Sequence, residues 1–293
     1  MQIMTKPLFM WAGGKNKMLK HYKPLMPSSV KSYCEPFFGG GAMFVYVMNT
    51  YAPKYARIND INPDIVRIYT SIKTDLVDFT RRLDALESIY IPMSKEDRKK
   101  YYYEVRYEHA YDYETWSPAY EAATLYFLMK TGFNGIFQIN QNTNGRYGTP
   151  SGLLNQKDKV YDRDVLQWWH TALQKTDIHC GDWTDAVENC PKDTFFFFDP
   201  PYRESFADYG NGFGDKQLTD LISFCDQQSS VMMSNRDDED WFAKQNHTLN
   251  SANFDIFYTA GRRKKTDEGY DAKKAREILL YRTTTGLEEF IHK

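Results

Sequence analysis

The chain is poor in cysteine, and its cysteines show no spacing typical of a metal site. Cys34, Cys180, Cys190 and Cys225 are scattered, without a CxxC pair. Structural zinc sites and disulfide frameworks need paired or clustered cysteines, so we expect neither. Scattered thiols are ordinary in a reducing compartment, and the predicted location is the cytoplasm.

The chain also lacks long apolar runs and an excess of positive charge. No signal peptide or transmembrane run is visible, so we expect no membrane partner. Its 37 Lys and Arg against 39 Asp and Glu give a net charge of −2. Any binding to nucleic acid must therefore come from local basic patches. Aromatic residues, in contrast, make up 16% of the chain, and they can fill cores or stack on bases.

Predicted strands and helices alternate at the start of the chain. Strands over Lys31–Phe37 and Tyr55–Ile58 precede helices over Ala42–Tyr51 and Pro63–Lys73. This alternation predicts an α/β fold with a parallel sheet. Further strands are predicted at Asp177–Cys180, Thr194–Phe198, Ser230–Ser234, Phe254–Thr259 and Glu277–Thr283.

Residues 75–174 interrupt this pattern. They contain two charged, Tyr-rich stretches of helical character, Lys95–His109 and Tyr120–Lys130. We predict a catalytic domain made of residues 1–74 and 175–293, with the intervening segment as a mainly helical insert.

The insert carries a polar hairpin over about residues 133–149. The surrounding segment Thr131–Gly152 is rich in Gly, Asn and Thr, and Asn144-Gly145 is a strong hairpin-turn signal. The predicted arms are Phe133–Asn140 and Arg146–Thr149.

The most informative motif follows the strand over Thr194–Phe198. Four phenylalanines indicate a buried strand, and Asp199-Pro200-Pro201-Tyr202 comes directly after them. The prolines end the strand because neither can donate a backbone N–H. The carboxyl end of a strand in an open α/β sheet is where ligands bind. An acceptor beside an aromatic face there suits a planar substrate that carries an amino group.

Two glycine motifs and one aspartate are candidates for binding a second ligand. Adjacent glycines in Trp11-Ala12-Gly13-Gly14-Lys15 allow close approach of the backbone, and Lys15 can neutralise an anion. Neither a P-loop nor G-x-G-x-x-G is present. The segment Glu35-Pro36-Phe37-Phe38-Gly39-Gly40-Gly41 joins a predicted strand to a helix, where α/β folds bind nucleotides. Asp60, after the next strand, is placed either to bind ribose hydroxyls or to cap a turn.

Together these motifs resemble the α-group DNA adenine-N6 methyltransferases, the Dam-like D12 class that depends on S-adenosylmethionine. Trp11–Lys15, Glu35–Gly41, Asn59–Asn62, Phe133–Gly135, Asp199–Tyr202 and Ser234-Asn235 occur in the family's order. The resemblance implies a Rossmann-like methyltransferase sheet with an inserted target-recognition domain. It also implies a bacterial or phage-infected host cell.

The resemblance assigns roles to individual residues. Asp199, Pro200, Pro201 and Tyr202 would be catalytic, acting on the N6 amino group of an adenine flipped out of double-stranded DNA. This transfer needs no metal and requires no protein partner. The implied cofactor site consists of Trp11, Gly13, Lys15, Glu35, Phe37, Gly39, Gly41, Asp60, Ile61, Asp182, Trp183 and Asp199.

DNA contacts are predicted on the hairpin and on a late basic loop. The loop spans Gly261–Lys274 between two predicted strands, and phosphate contact is the favoured role of its basic residues. The predicted DNA-binding residues are Phe133, Asn134, Gln138, Asn140, Arg146, Arg262, Arg263, Lys264, Lys265, Lys273, Lys274 and Arg276.

The chain departs from its GATC-methylating relatives at two positions. Those relatives carry an Arg where Gln138 stands and a Lys where Met10 stands. Both basic residues suit guanine, whereas Gln prefers adenine and Met offers no donor. A target that is GATC-related or relaxed is therefore expected.

Three other functions fit parts of the pattern. A cytosine-N4 methyltransferase uses the same geometry, although Asp at the first motif position favours adenine. A methyltransferase for RNA or for a protein glutamine amide usually has Asn there and no recognition insert. A catalytically silent DNA-binding protein is disfavoured by the intact Asp199, Tyr202 and glycine loop.

Overall fold

The structure, a computed structural model, describes residues 5–11, 13–152, 159–203, 213–237, 240–258, 265–266, 269–270 and 273–284, and side chains outside 257–274. The helices are α1 Leu19–Tyr22, α2 Ala42–Thr50, α3 Pro63–Thr74, α4 Leu76–Tyr90, α5 Lys95–Tyr111, α6 Pro118–Thr131, α7 Arg163–Leu173, α8 Trp183–Val187 and α9 Asp215–Asp226. The strands are β1 Ser32–Glu35, β2 Tyr55–Asp60, β3 Ile139–Asn140, β4 Arg146–Tyr147, β5 Thr176–Cys180, β6 Thr194–Phe198, β7 Val231–Arg236, β8 Asn250–Tyr258, β9 Lys265–Thr266, β10 Gly269–Tyr270 and β11 Lys273–Arg282.

The chain divides into two compact units. The first consists of Met1–Lys17 and Phe38–Glu188, and the second of Met18–Phe37 and Asn189–Lys293. The helices predicted as an insert belong to the first unit, together with β2 and β5.

The first unit is helical around one parallel strand pair. Strand β2 pairs with β5 in parallel, and Asp60 lies opposite Cys180 in the register. Helix α6 packs against α3, α4 and α5. Most of its surface is buried, as expected for a helix that is apolar nearly all round. It begins where Ser117 accepts a hydrogen bond from the backbone of Tyr120 and Pro118 fills the first turn.

The second unit is a five-stranded sheet in the order β1-β6-β7-β11-β8. Strands β1, β6 and β7 are parallel to one another, whereas β11 is antiparallel to both β7 and β8. Every residue of β6 is buried, which explains its continuous apolar sequence. The described strands β9 and β10 form a separate antiparallel pair.

The predicted Rossmann-like α/β class is confirmed, and most element positions agree to within a few residues. Two predictions were wrong. The hairpin arms are only two residues each, β3 and β4, and Phe133–Gly135 is a short 3-10 turn. Lys273, Lys274 and Arg276 lie in β11, where they continue the pairing with β8, and not in a loop. No helix in the described part of the chain has the length and apolar character needed to span a membrane.

Candidate active site

The Asp-Pro-Pro-Tyr turn begins where β6 ends, at Phe198. The rings of Phe196 and Phe198 stack with centroids 6.0 Å apart, so the strand is anchored in the core up to its last residue. Asp199 follows and is half-buried. Because Pro200 and Pro201 cannot extend the strand pairing, the backbone leaves the sheet here.

Two buried polar side chains of β7 hold the turn. The Ser234 hydroxyl donates a hydrogen bond to Oδ1 of Asp199 at 3.0 Å. The Asn235 amide donates to the carbonyl of Pro201 at 3.3 Å, and its Oδ1 accepts from the backbone N–H of Arg203 at 3.1 Å. Both β7 residues are at most 1% exposed. The turn is therefore fixed from its carboxylate to the residue after its tyrosine.

Tyr202 has its own partner, which sequence reasoning missed. Its hydroxyl donates a hydrogen bond to Oε1 of Glu277 on β11. Glu277 is 1% exposed. One signal was available in the sequence, because Glu277 interrupts a run that is otherwise mostly apolar from Ala275 to Leu280.

Glu35 and Phe37 belong to the same unit as this turn. Glu35 ends β1, is 3% exposed and accepts a hydrogen bond from the Tyr33 hydroxyl at 2.7 Å. Burial, together with the adjacent Glu35 charge, raises the pKa of Tyr33 well above its ordinary value. Phe37 makes an edge contact with the ring of Phe198 at 6.3 Å. The aromatic packing thus links the start of the glycine motif to the end of β6.

The glycine loop in the first unit is held through the peptide groups of Gly39. The N–H of Gly39 donates to Oδ2 of Asp60 at 2.8 Å, and its carbonyl accepts from the Tyr69 hydroxyl at 2.9 Å. Its φ is +49°, and a Cβ there would lie 2.6 Å from the Trp11 indole. Gly41, with φ +69°, would place a Cβ 2.6 Å from Trp169. Only glycine fits both positions.

Asp60 occupies the last position of β2 and connects two segments. Besides Gly39, its carboxylate accepts from the backbone N–H of Asn62 at 2.9 Å. Burial raises the pKa of Asp60, and backbone N–H groups including these two partly oppose that shift. Ile61 beside it is 42% exposed. The carboxylate therefore caps a turn, and its remaining lone pairs are compatible with ribose binding.

The N-terminal motif makes a tight turn over the same loop. The N–H of Gly14 donates to the carbonyl of Trp11 at 3.0 Å. Lys15 is 3% exposed and its Nζ donates to the carbonyl of Gly13 at 3.0 Å. The Trp11 indole also contacts Phe137 of the hairpin, with ring centroids 5.8 Å apart. Trp11 therefore touches both the glycine loop and the hairpin.

Asp182 and Trp183 lie at the start of α8. Asp182 caps the helix by accepting from the backbone N–H of Thr184 at 2.9 Å, and Trp183 is 8% exposed. The preceding Gly181 accepts from the Asn59 amide at 3.0 Å and donates to the Asp60 carbonyl at 3.2 Å. The ends of β2 and β5, which carry these candidates, are thus joined directly.

The hairpin is held by side chains more than by strand pairing. Its loop spans residues 141–145, in which Asn144 and Gly145 both have positive φ. The Asn140 side chain accepts from the backbone of Asn142 at 2.9 Å. From α5, Tyr102 and Arg106 donate to the carbonyl of Thr149 at 2.8 and 3.1 Å. The hairpin is thus anchored to α5.

Phe133, Asn134 and Gln138 are exposed on the hairpin. Asn134 has φ +53°. A Cβ on Gly135 would lie 2.5 Å from Cβ of Met10, so the hairpin approaches the N-terminal motif closely. Met10 itself is 66% exposed. Met10 and the exposed hairpin residues belong to the same unit, and the close approach at Gly135 brings the two segments together.

Arg146 is placed differently from the other hairpin candidates. Its side chain is 13% exposed and forms an ion pair with Glu121. Its guanidinium lies 3.6 Å from the centre of the Tyr113 ring. Arg146 therefore supports the hairpin from within the unit, where Glu121 offsets its charge.

The late basic residues are only partly described. Arg276 forms an ion pair with Asp240 at 2.6 Å, with a side chain 37% exposed. Arg262, Arg263 and Lys264 lie outside the described residues, and the side chains of Lys265, Lys273 and Lys274 are not described. Among the residues that are described, no three His, Cys, Asp or Glu side chains form a group that could hold a metal ion.

The chain matches one protein family over most of its length. The model for the D12 class N6 adenine-specific DNA methyltransferases matches residues 11–282. The chain therefore belongs to this family, and it is an enzyme that methylates adenine in DNA.

Characterised relatives have similar length. The Type II methyltransferase M.MjaIII of Methanocaldococcus jannaschii is 31% identical over 255 residues, which cover 82% of this chain and 87% of that protein. The Type II methyltransferase M.CviBI of Paramecium bursaria Chlorella virus NC1A is 31% identical, covering 75% and 78%. The DNA adenine methylase of Haemophilus influenzae is 26% identical, covering 80% and 81%.

Proposed function

We propose that the enzyme moves the methyl group of S-adenosylmethionine to N6 of an adenine flipped out of double-stranded DNA. The products would be S-adenosylhomocysteine and N6-methyladenine, which has lost one proton from N6. The observation that carries the proposal is the Asp-Pro-Pro-Tyr turn, which Ser234 and Asn235 hold at the end of β6. A target nitrogen inside a duplex cannot reach such a turn, so the base must leave the stack.

The turn supplies what an exocyclic amine needs. The lone pair of the adenine amino nitrogen is delocalised into the ring, which makes it a poor nucleophile. The Asp199 carboxylate and the Pro200 carbonyl accept hydrogen bonds from the two N–H groups of this nitrogen. These bonds favour a pyramidal nitrogen, whose lone pair is free to react. The Asp199 carboxylate also stabilises positive charge that develops on this nitrogen. The Tyr202 ring stacks on the base.

The first unit carries most of the proposed cofactor site. Bound S-adenosylmethionine supplies a sulfonium methyl group as the electrophile. Lys15 neutralises its carboxylate, Asp60 accepts from its ribose hydroxyls, and Asp182 and Trp183 lie beside its adenine. The fixed peptide of Gly39 suits a closely approaching ligand. Further proposed cofactor residues are Trp11, Gly13, Glu35, Phe37, Gly41, Ile61 and Asp199.

The hairpin is the proposed reader of the DNA sequence, and the helical segment 75–174 is its support. Phe133 fills the gap left by the flipped base, Asn134 lies beside it, and Gln138 faces a base edge in the major groove. Because Gln138 and Met10 replace guanine-reading residues, the proposed target is GATC-related or relaxed.

Phosphate contacts are proposed for the basic residues at 262–265 and 273–274, whose side chains lie outside the described part of the chain. Arg146 and Arg276 already form ion pairs with Glu121 and Asp240, and their proposed role is to support the protein surface beside the DNA. The proposed location is the cytoplasm, as the cysteine usage predicts.

Replacing Asp199 tests the proposed chemistry. Asp199→Ala should lower the single-turnover rate about 100-fold or more, because it removes an oriented electrostatic partner. Asp193→Ala is the matched control, since it removes an exposed carboxylate just before β6. Both proteins should remain folded by circular dichroism. Substantial turnover by folded Asp199→Ala would contradict the proposal.

A further inference from the structure

Glu277 is a buried carboxylate in the middle of the sheet of the second unit. It lies in β11 between Arg236 of β7 and Phe254 of β8 in the register. Its strand neighbours Ile278 and Leu279 are at most 2% exposed. Burial of a carboxylate is costly unless hydrogen bonds compensate for it. A carboxylate here therefore calls for a specific partner.

The Tyr202 hydroxyl is such a partner. It donates to Glu277 Oε1, while the remainder of the turn is held by Ser234 and Asn235. Those two bonds fix the carboxylate of Asp199 and the backbone around Pro201, but neither reaches the tyrosine ring. The bond to Glu277 acts on the phenol itself, and a hydrogen bond to a charged acceptor is among the stronger kinds.

The position of Glu277 makes it a rigid support. Strand β11 is paired along most of its length with β7 and β8. Residues on such strands are held more precisely than residues on loops. The bond therefore transfers the rigidity of the sheet to a side chain that stands on a turn.

We propose that Glu277 is a positioning residue, which holds the Tyr202 ring in the orientation needed to stack on the flipped adenine. The inference rests on the proposed role of Tyr202 and extends it to a second strand. Glu277 acts through the tyrosine and touches neither the base nor the cofactor. Its contribution should therefore vanish when the phenol hydroxyl is absent.

A double-mutant cycle between Glu277 and Tyr202 tests this. Glu277→Ala should lower the single-turnover rate about tenfold or more, the range expected for loss of a hydrogen bond to a charged group. Glu277→Gln should recover most of that loss, because an amide oxygen still accepts from the phenol. In a Tyr202→Phe background, Glu277→Ala should cause little further loss, since interacting sites are non-additive.

Two further readouts separate positioning from general damage. A 2-aminopurine placed at the target adenine should change its fluorescence in Glu277→Ala, because the base stacks differently, while the Kd for S-adenosylmethionine stays unchanged. Thr283→Val is the control, one residue beyond the end of β11. It removes a part-buried hydrogen bond to the Leu25 carbonyl at 2.7 Å and should leave the rate and the fluorescence unchanged.

The outcomes distinguish this inference from the proposed function. Additive losses in the cycle, or Glu277→Gln as slow as Glu277→Ala with an unchanged melting temperature, would overturn the positioning role. If the Glu277→Ala protein does not fold, Glu277→Leu takes its place in the same cycle, because leucine also lacks an acceptor but fills the buried position. Full activity of Asp199→Ala would instead overturn the proposed function.

Discussion

Asp60 offers the sharpest separation of a structural role from a cofactor role. Asp60→Ala removes two hydrogen bonds, from Gly39 at 2.8 Å and from Asn62 at 2.9 Å. A backbone donor left without its charged acceptor costs about 1–3 kcal/mol. Of the two hydrogen bonds described for Gly39, the one from the Tyr69 hydroxyl to its carbonyl then remains. Two such donors give an expected loss of about 2–6 kcal/mol in the free energy of unfolding.

Cofactor affinity should fall separately from stability. Loss of the ribose contacts should weaken S-adenosylmethionine binding by about 1–3 kcal/mol, roughly 5- to 150-fold in Kd. Asp60→Asn should fall between wild type and Asp60→Ala, because one oxygen acceptor remains. Calorimetry of cofactor binding and thermal melting with and without cofactor measure the two effects.

Asp75→Ala is the matched control for this experiment. Asp75 also caps an element of the first unit, because it accepts from the backbone N–H of Asp78 at 3.1 Å at the start of α4. It is exposed, however, and this hydrogen bond does not involve the glycine loop. It should lower the melting temperature and leave the cofactor Kd unchanged. Unchanged cofactor affinity in Asp60→Ala as well would refute the ribose role and leave Asp60 as a turn cap only.

Three other predictions address recognition and stability. Gln138→Arg should shift target preference towards guanine at one position by about 1–3 kcal/mol. Sequencing of methylated sites in a mixed DNA library measures this shift, and strict GATC methylation by both wild type and variant would contradict it. Removing the charges at 262–265 should weaken binding to all DNA sequences similarly and flatten the dependence of DNA affinity on salt. Titrations at several salt concentrations measure this, and an unaltered salt dependence would show that these residues do not contact phosphates. Burial, with Arg146 and Arg67 nearby, lowers the pKa of His109 to about 3. Because the unfolded chain binds this proton below about pH 6.5 and the folded protein does not, stability should fall as the pH drops from about 6.5 towards 3, and denaturant melts of His109→Gln should show a shallower fall.

Features set by neighbouring residues along the chain could be predicted. The four phenylalanines followed by two prolines predicted the bounds of β6 correctly. The Asn144-Gly145 pair predicted a hairpin turn, and the turn lies there, with positive φ at both residues. Each of these features depends on local sterics or on a short periodic pattern.

The length of the hairpin arms could not be predicted, because it depends on distant residues. The donors that hold Thr149 come from Tyr102 and Arg106 on α5. The Asn140 side chain bonds to the loop backbone, and such local bonds compete with strand pairing. The pattern of the segment alone suggested longer strands.

The partners of buried charged residues could not be predicted from the sequence. Arg146 looks like a typical phosphate ligand until Glu121 and Tyr113 are placed beside it. Glu277 interrupts a mostly apolar run, but that run does not show that β7 and β8 flank it or that Tyr202 is its partner. Both roles follow from contacts between elements that are far apart in the chain.

The identity of the methylated nucleoside tests the central claim most directly. The purified protein is incubated with double-stranded DNA and S-adenosylmethionine that carries an isotopically labelled methyl group, and the DNA is then digested and examined by mass spectrometry. We expect labelled N6-methyldeoxyadenosine from the wild type and none above background from Asp199→Ala. Labelled N4-methyldeoxycytidine, or no labelled nucleoside from a folded wild-type protein, would contradict the account.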